Sequence, residues 1–229
     1  MGVARTGAVY AFLIASAVIV SVGQENPLSW LPLQVGNRWI YDHESKEVSP
    51  QNPEIATWTT EETITAIVSI PEGLVAVQNV KVTQGRPSGG WVEQRGNSGY
   101  LVHDNCIYLL TKSSVDNTTH QLSSAYRQDL ANGILSPDLC FPLAFGNQWG
   151  TADVPWRIER RGDPTALFLP PKYADAFDIR SNHFGSGGLM DVWFQKGIGI
   201  ISERYLHQGT YGEWTKRLRA FIQAPQIKN

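Results

Sequence analysis

Residues 31–39 read LPLQVGNRW, and residues 141–149 read FPLAFGNQW. Both copies follow one pattern: an apolar residue, Pro, Leu, any residue, an apolar residue, Gly, Asn, any residue and Trp. Proline restricts the backbone, Gly-Asn is typical of a turn that tolerates positive φ, and the tryptophan begins a buried strand. The pattern therefore predicts two equivalent corners of the fold, carried by Pro32, Gly36, Asn37, Trp39, Pro142, Gly146, Asn147 and Trp149.

The spacing of the two copies indicates how the chain is organised. Trp39 and Trp149 are 110 positions apart, far more than the roughly 20–50 residues of a solenoid repeat. We therefore expect a single β-rich domain over residues 24–229, made of two motif-initiated halves at about residues 27–135 and 136–225. The motif indicates an architecture and specifies no reaction.

The first 23 residues have the pattern of a secretory signal peptide. Arg5 is the only charge, residues 9–22 form an apolar run, and the small residues Ser21 and Gly23 fit cleavage after Gly23. A retained membrane anchor is the alternative, but the apolar run is shorter than the ~20 residues that cross a bilayer. No cysteine stands at the cleavage site for lipid attachment, and no later segment is long and apolar enough to span a membrane. We therefore expect a mature protein without a transmembrane segment, in the periplasm or secreted.

Composition places the chain among folded globular proteins. Of 229 residues, 42% are hydrophobic and eight are tryptophan, which is too apolar for a disordered chain. The net charge is −2 and there is no basic run, which argues against nucleic acid as a partner. No pattern specifies an oligomeric state.

The two cysteines, Cys106 and Cys140, are the only ones in the chain. In an exported protein an even pair most often forms a disulfide, although two buried free thiols remain the alternative. A bridge would close a loop of roughly 35 residues and stabilise the fold by about 3 kcal/mol. The cysteines do not provide a four-ligand metal centre, and we predict neither a metal site nor a cofactor.

Alternating and β-branched stretches indicate strands along nearly the whole chain. Even-numbered residues from Trp58 to Ile70 are predicted to share one strand face, and Asp104-Asn105 reads as a hairpin turn. One short helix is expected at about residues 123–132, followed by Gly133. Short turns between sequential strands imply an antiparallel sheet. The predicted class is all-β with at most one or two short helices, either a strongly curved half-barrel or a β-sandwich built from two related halves.

Two segments carry a resemblance to a known group of proteins. The start PLQVGNRWIY at residues 32–41 and the late WFQKGIGII at residues 193–201 resemble poorly characterised exported bacterial proteins and lipoproteins with a Pro-Leu-x-x-Gly-Asn-x-Trp-x-Tyr start. The resemblance implies an all-β exported fold, similar to the concave half-barrels of periplasmic lipoprotein carriers. The chain departs from many members of the group in lacking a lipobox cysteine, and no catalytic residues come with the resemblance.

A search for catalytic chemistry finds no established signature, and no catalytic residue is predicted. The five histidines show no metal-ligand spacing and are expected at the surface or in turns. A hydrolase of unknown type is kept open only by His103, Asp104 and His183, which would have to come within hydrogen-bond reach of one another.

Tryptophans offer the best opening to a function. Core packing is the default for each of them, but several on one concave face would line an apolar pocket. The candidates for that role are Trp58, Trp91, Trp193 and Trp214. We therefore predict an exported, non-enzymatic protein that binds or carries a hydrophobic small molecule or lipid. The alternative is a carbohydrate-binding or cell-envelope interaction module, in which tryptophans would lie flat on an exposed face.

Overall fold

The fold was taken from a computed structural model that describes residues 25–49, 52–86, 99–116, 119–152, 155–161, 173, 176–183, 187–207 and 212–225. A short 3-10 helix at Pro27–Ser29 precedes the first strand, and one α-helix, α1, covers Ser124–Ala131. The strands are β1 Arg38–Ser49, β2 Asn52–Ile70, β3 Gly73–Gly85, β4 Gly99–His103, β5 Cys106–Leu110, β6 Leu139–Cys140, β7 Gln148–Gly150, β8 Pro155–Arg161, β9 Phe177–His183, β10 Gly188–Gln195, β11 Gly199–His207 and β12 Gly212–Ile222.

These strands form one antiparallel sheet of 12 strands in the order β6-β5-β4-β3-β2-β1-β12-β11-β10-β9-β8-β7. The edge strands β6 and β7 are joined by residues 141–147, a link that spans about 25 Å when extended. Twelve flat strands spaced at about 4.8 Å would hold their edges roughly 50 Å apart. The sheet must therefore curl, and it forms a strongly curved half-barrel. The all-β prediction is confirmed, and of its two alternatives the half-barrel is the correct one.

The first motif copy forms a tight corner before β1. Gly36 has φ +88°, and the side chain of Asn37 donates from Nδ2 to the carbonyl oxygen of Pro32 at 2.6 Å. The amide of Gly36 donates to the carbonyl of Ile64 at 2.8 Å, and the amide of Ile64 donates to Asn37 at 3.0 Å. The corner is thus closed by its own asparagine and fastened to β2, the strand that pairs with β1.

The second copy forms the same corner before β7. Gly146 has φ +84°, and Nδ2 of Asn147 donates to the carbonyl of Pro142 at 2.8 Å. Gly146 donates to the carbonyl of Ile158 at 3.3 Å, and Ile158 donates to Asn147 at 3.1 Å. Since strands alternate in direction along the sheet order, β1 and β7 run parallel, and both corners lie at the same end of the sheet. The division of the domain at about residue 135 stays a prediction.

Cys106 and Cys140 form a disulfide. They lie opposite each other where β5 pairs with the two-residue edge strand β6. The neighbouring hairpin turns at Asp104 and Asn105, with φ +45° and +64°. Asn105 donates from Nδ2 to the carbonyl of Phe141 at 2.9 Å. The bridge and this bond tie the β4–β5 hairpin to the start of the second motif copy, and the predicted disulfide and turn are both confirmed.

Residues of the long strand β2 do not keep one face throughout. Trp58, Thr60, Glu62 and Ile64 face the concave side as predicted, but a register shift against β3 falls between Ile64 and Ala66. Such a bulge inserts one residue and reverses the inside–outside alternation beyond it. Past the bulge, Ile67 packs with the main core, while Ala66 and Ile70 pack with a second cluster. The predicted single face is therefore wrong beyond Ile64.

The second cluster lies on the convex side of β3, β4 and β5. Val75, Leu101 and Leu110 form it with residues of the segment that carries α1, including Tyr126 and Leu130. Ser123 caps the helix by accepting from the amide of Tyr126. The predicted helix is confirmed to within a residue at each end. The segment that carries α1 covers the convex side of β3–β5, so the concave side is the face that encloses space.

Candidate functional site

The concave face of the central strands is unusually polar. On β1, Tyr41 and His43 alternate with residues that face outward, and both are buried. On the flanking strands, Glu62 of β2 and Lys216 of β12 are buried on the same side. Charged side chains are almost never fully buried unless they are paired. The centre of the half-barrel therefore holds a structured ionic group rather than a uniform hydrophobic core.

We call this group the polar cluster; its members come from five strands and are Tyr41, Glu62, Gln78, Glu203 and Lys216. Nζ of Lys216 is 3.0 Å from Oε1 of Glu62 and 3.8 Å from Oε2 of Glu203. Nε2 of Gln78 donates to Oε2 of Glu62 at 2.6 Å. Both oxygens of Glu62 thus have partners within the polar cluster.

Tyr41 connects the polar cluster to the rest of the concave face. Its hydroxyl donates to the carbonyl of Ile200 at 2.9 Å, and Nζ of Lys216 lies 4.0 Å from the centre of its ring. Burial raises the pKa of Tyr41 well above the ordinary tyrosine value, and the charge of Glu62 adds to the shift. Tyr41 is therefore a neutral hydrogen-bond donor and a cation–π partner at physiological pH.

The carboxylate of Glu203 differs from that of Glu62 in its hydrogen-bond partners. The residue is 6% exposed, and among the described residues Oε2 accepts no hydrogen bond. Its nearest charged neighbour is Lys216 at 3.8 Å, beyond ordinary N–H···O hydrogen-bond length. A buried acceptor without a donor costs about 1–3 kcal/mol or more when charged. Glu203 therefore has unused hydrogen-bonding capacity at the centre of the fold.

Two adjacent cavities meet at Glu203. The polar cavity, about 210 Å³, has Glu62, Gln78 and Lys216 in its wall. The apolar cavity, about 60 Å³, lies between β4–β6 on one side and β8, β10 and β11 on the other, with Ile107, Trp156, Met190 and Phe194 in its wall. Four residues belong to both walls: Tyr100, Leu109, Ile200 and Glu203. The curl of the sheet thus brings Ile107 of β5, the second strand in its order, into one wall with Trp156 of β8, the eleventh strand, beside the carboxylate of Glu203.

Leu109 marks the opening of both cavities. It is 40% exposed although it lines both walls. Its amide donates to Oδ2 of Asp138 at 2.6 Å, and Asp138 lines the apolar cavity. Leu109 belongs to β5, which the Cys106–Cys140 disulfide ties to edge strand β6. The entrance is therefore built on a fastened part of the sheet.

The structure separates the tryptophans predicted to bind ligand. Trp58 is buried and stacks on His43 at 4.9 Å between ring centres. The ring of Trp214 is 6.0 Å from that of His43. Trp193 is 1% exposed and belongs to the main core, while Trp91 lies outside the described residues. None of the three described ones lines the polar or apolar cavity, and their role in binding stays a prediction.

His43 departs from the expectation that the histidines are surface or turn residues. It is 3% exposed, and its Nε2 makes a hydrogen bond of 2.8 Å with Oγ1 of Thr60. Thr60 lies on β2, next to the strand that carries His43, and is itself fully buried. The alternation of β1 decides this position, since odd-numbered residues there face the concave side.

The grouping of His103, Asp104 and His183 does not form a site. His103 and Asp104 do meet at the β4–β5 turn, with 3.2 Å between Nε2 and Oδ2, but the Asp104 side chain is 86% exposed. His103 ends β4 and His183 ends β9. Strands β4 and β9 run in opposite directions, so the two histidines lie at opposite ends of the sheet. The hydrolase hypothesis required these three residues to lie within hydrogen-bond reach of one another, and positions at opposite ends of the sheet do not meet that requirement.

A third cleft, of about 290 Å³, lies over β1, β2 and β12, where Trp58 is part of its wall. Two of its charged groups, Asp42 and Arg219, form an ion pair. Asp42 accepts from Nε of Arg219 at 3.0 Å and from Oγ1 of Thr59 at 3.1 Å. Asp42 therefore has partners at the surface, whereas Oε2 of Glu203 is buried without a hydrogen-bond donor among the described residues.

Sequence reasoning missed Glu203, Lys216, Tyr100 and Trp156 as residues of one site. All four fell within predicted strands, and the alternation inside β12 places Lys216 on the face of Leu218, which is a signal that a charge points inward. No local pattern indicates which inward charges meet, because these four residues come from four different strands.

Among the described residues, no helix has the length and apolar character needed to cross a bilayer. No protein-family model matches the chain, and no curated protein matches it.

Solved structures give distant likenesses. A predicted lipoprotein from Parabacteroides distasonis is 11% identical with a TM-score of 0.38, over 85% of this chain and 99% of that one. A predicted exported protein with a YmcC-like fold from Bacteroides fragilis is 11% identical with a TM-score of 0.32, over 83% and 97%. A predicted outer-membrane lipoprotein-sorting protein domain from Vibrio parahaemolyticus is 7% identical with a TM-score of 0.25, over 82% and 85%. What this chain binds is therefore argued from its own residues.

Proposed function

We propose that the chain is an exported, non-enzymatic binding protein whose concave face holds a small hydrophobic molecule or the end of a single lipid chain. The observation that carries the proposal is the pair of cavities that meet at Tyr100, Leu109, Ile200 and Glu203. Ligand sites are concave, mostly apolar and supplied with a few placed polar groups. The apolar cavity and the polar cluster have that composition.

Size narrows the range of ligands. The volumes of about 210 and 60 Å³ together fall just below the roughly 300–1,000 Å³ of sites for drug-sized ligands. A lipid with several acyl chains is too large for these walls, whereas a small molecule or one chain end is of the right scale. Export is inferred from the signal-peptide pattern of residues 1–23 and from the disulfide, which is typical of oxidising compartments.

A carbohydrate-binding module is supported less well. Stacking on a sugar requires an aromatic ring that lies flat and exposed, and Trp58 and Trp193 are both buried. Trp214 is half-buried beside His43. The described tryptophans therefore fit packing better than a sugar platform.

The proposal is tested by closing the entrance. We expect native mass spectrometry of the protein purified from its own cell envelope to show a bound small molecule. Leu109→Trp adds a large ring at the mouth of both cavities, at a position exposed enough to accept it, so we expect the bound mass to disappear.

Ile222→Trp is the matched control, because Ile222 is 38% exposed and lines neither cavity. This variant is expected to keep the ligand. Wild-type protein that carries no small molecule and takes up no neutral apolar probe, such as N-phenyl-1-naphthylamine, would contradict the proposed function. Equal retention by both variants would place any ligand elsewhere.

A further inference from the structure

We propose that the ligand of the two cavities is a cationic amphiphile, a small apolar body with a protonated amine that binds the carboxylate of Glu203. This inference rests on the proposed function, because it specifies the chemistry of a ligand for the same cavities. In this proposal the polar cluster selects ligands by their charge, and the apolar cavity holds the apolar part of the ligand.

The charges of the polar cluster do not balance. Glu62 and Glu203 are two carboxylates, and Lys216 is the only ammonium that the structure places within 4 Å of them among the described residues. The formal charge of the polar cluster is therefore −1. Burial penalises an uncompensated charge heavily, and one further cation at this position would neutralise the group.

The ammonium of Lys216 lies closer to Glu62 than to Glu203. It lies 3.0 Å from Glu62 and 4.0 Å from the ring centre of Tyr41. Its 3.8 Å separation from Glu203 leaves that carboxylate with a longer and weaker contact. The lysine therefore neutralises mainly Glu62, and Glu203 is the carboxylate that lacks a charge partner at hydrogen-bond distance.

Glu203 is buried where the two cavities meet. Its side chain is more than nine-tenths buried, its Oε2 has no hydrogen-bond donor among the described residues, and it lines both cavities. Tyr100 shares both walls and offers an aromatic ring beside the carboxylate, a combination that suits an ammonium. Met190, Phe194 and Ile107 surround the neighbouring apolar space. A ligand whose body lies in the apolar cavity would thus place its polar end at Glu203, where that cavity meets the polar one.

An anionic ligand fits these walls poorly. A fatty-acid carboxylate in the apolar cavity would place its charge next to Glu203, and like charges at such distances repel. The only described cation at the site, Lys216, is already engaged by Glu62. The cavities should therefore prefer an amine over an alcohol of the same length, and an alcohol over a carboxylate.

The test compares three ligands that share one apolar chain: octylamine, 1-octanol and octanoate, each titrated calorimetrically into the full-length mature protein at pH 7. An alkyl amine, like lysine, is protonated at this pH. We expect the wild type to bind octylamine most tightly and octanoate most weakly. Glu203→Gln, which keeps the shape and removes the charge, should weaken octylamine binding at least tenfold, as loss of a charge-assisted hydrogen bond does, and change octanol binding less than threefold.

Glu61→Gln is the matched control, because Glu61 precedes Glu62 on β2 and faces Arg38 on the convex side. It should leave all three affinities unchanged. Octanol binding by Glu203→Gln shows that the variant is folded with its cavities intact. If the variant no longer binds octanol, or if octylamine and octanol lose affinity equally, the assignment of the charge-binding role to Glu203 is overturned. Octanoate binding as tight as octylamine binding also overturns it. If the wild type binds octanol but does not prefer octylamine, the proposed function stands and this inference fails. If the wild type binds none of the three ligands, the proposed function and this inference both fail.

Discussion

Replacing Lys216 with methionine tests whether the polar cluster is the ionic centre of the fold. Lys216→Met keeps a side chain of similar length but removes the ammonium between Glu62 and Glu203, at 3.0 and 3.8 Å. With an effective dielectric constant near 20, these distances correspond to attractions of about 5 and 4 kcal/mol. The desolvation cost of the lysine offsets part of that loss. We therefore expect the net loss of stability to match the 3–5 kcal/mol typical of breaking a buried ion pair.

The measurement is urea unfolding followed by tryptophan fluorescence. With a slope of about 2 kcal/mol/M, the loss lowers the midpoint by roughly 1.5–2.5 M at unchanged slope. Combining Lys216→Met with Glu62→Gln should cost less than the sum of the two single changes, because the second change removes one of the stranded carboxylates.

Lys46→Met is the matched control for this prediction. Lys46 also contacts a glutamate, with 2.8 Å to Oε1 of Glu44, but its side chain is 42% exposed. Exposed pairs of this kind contribute little to stability, so we expect no measurable shift of the midpoint. If Lys216→Met shifted the midpoint no further than Lys46→Met, the polar cluster would not be a coupled buried group, and the reasoning from its distances would be refuted.

Two further predictions concern the frame around the site. Replacing both Cys106 and Cys140 with alanine should lower the free energy of unfolding by about 3 to 4 kcal/mol, because a loop of some 35 residues is no longer closed in the unfolded chain. A loss under 1 kcal/mol in the same urea assay would show that β6 is held by other contacts. Gly36→Ala and Gly146→Ala both place a side chain at positive φ, which costs about 1–2 kcal/mol of stability. At Gly36 the new Cβ also lies 3.1 Å from the Cβ of Ala224, whereas at Gly146 it has no neighbour within 4 Å. Thermal unfolding should therefore show the larger loss for Gly36→Ala, and the opposite order would contradict the tight packing of the first corner.

Local features of the fold were predictable from the sequence because each rests on neighbouring residues. The positive φ of Gly36 and Gly146, the hairpin at Asp104-Asn105 and the short helix near residues 123–132 all follow from the conformational preferences of neighbouring residues. The disulfide was predictable because only two cysteines exist and the leader pattern indicates an oxidising compartment.

Features that depend on register were not predictable to the same degree. The assignment of alternate residues of β2 to one face holds up to Ile64 and fails after the bulge. Nothing in the local sequence marks that bulge, because it arises from how β2 and β3 match along their shared length. The burial of His43 likewise depends on β1 lying between β2 and β12 at the centre of the sheet.

The sequence by itself determined the all-β class, the two equivalent corners and the disulfide, since local preferences and composition decide each of these, and it predicts a signal peptide over residues 1–23. Only the tertiary structure decided where the chain encloses space and which charges meet there. Glu203 and Lys216 face each other across one strand pair, but Glu62, Tyr100 and Trp156 reach the same centre from strands far apart in the chain. The physical reason is the curl of the sheet: a seven-residue link draws its two edges together, and that closure, which no local pattern encodes, turns one face of twelve strands into the wall of a cavity.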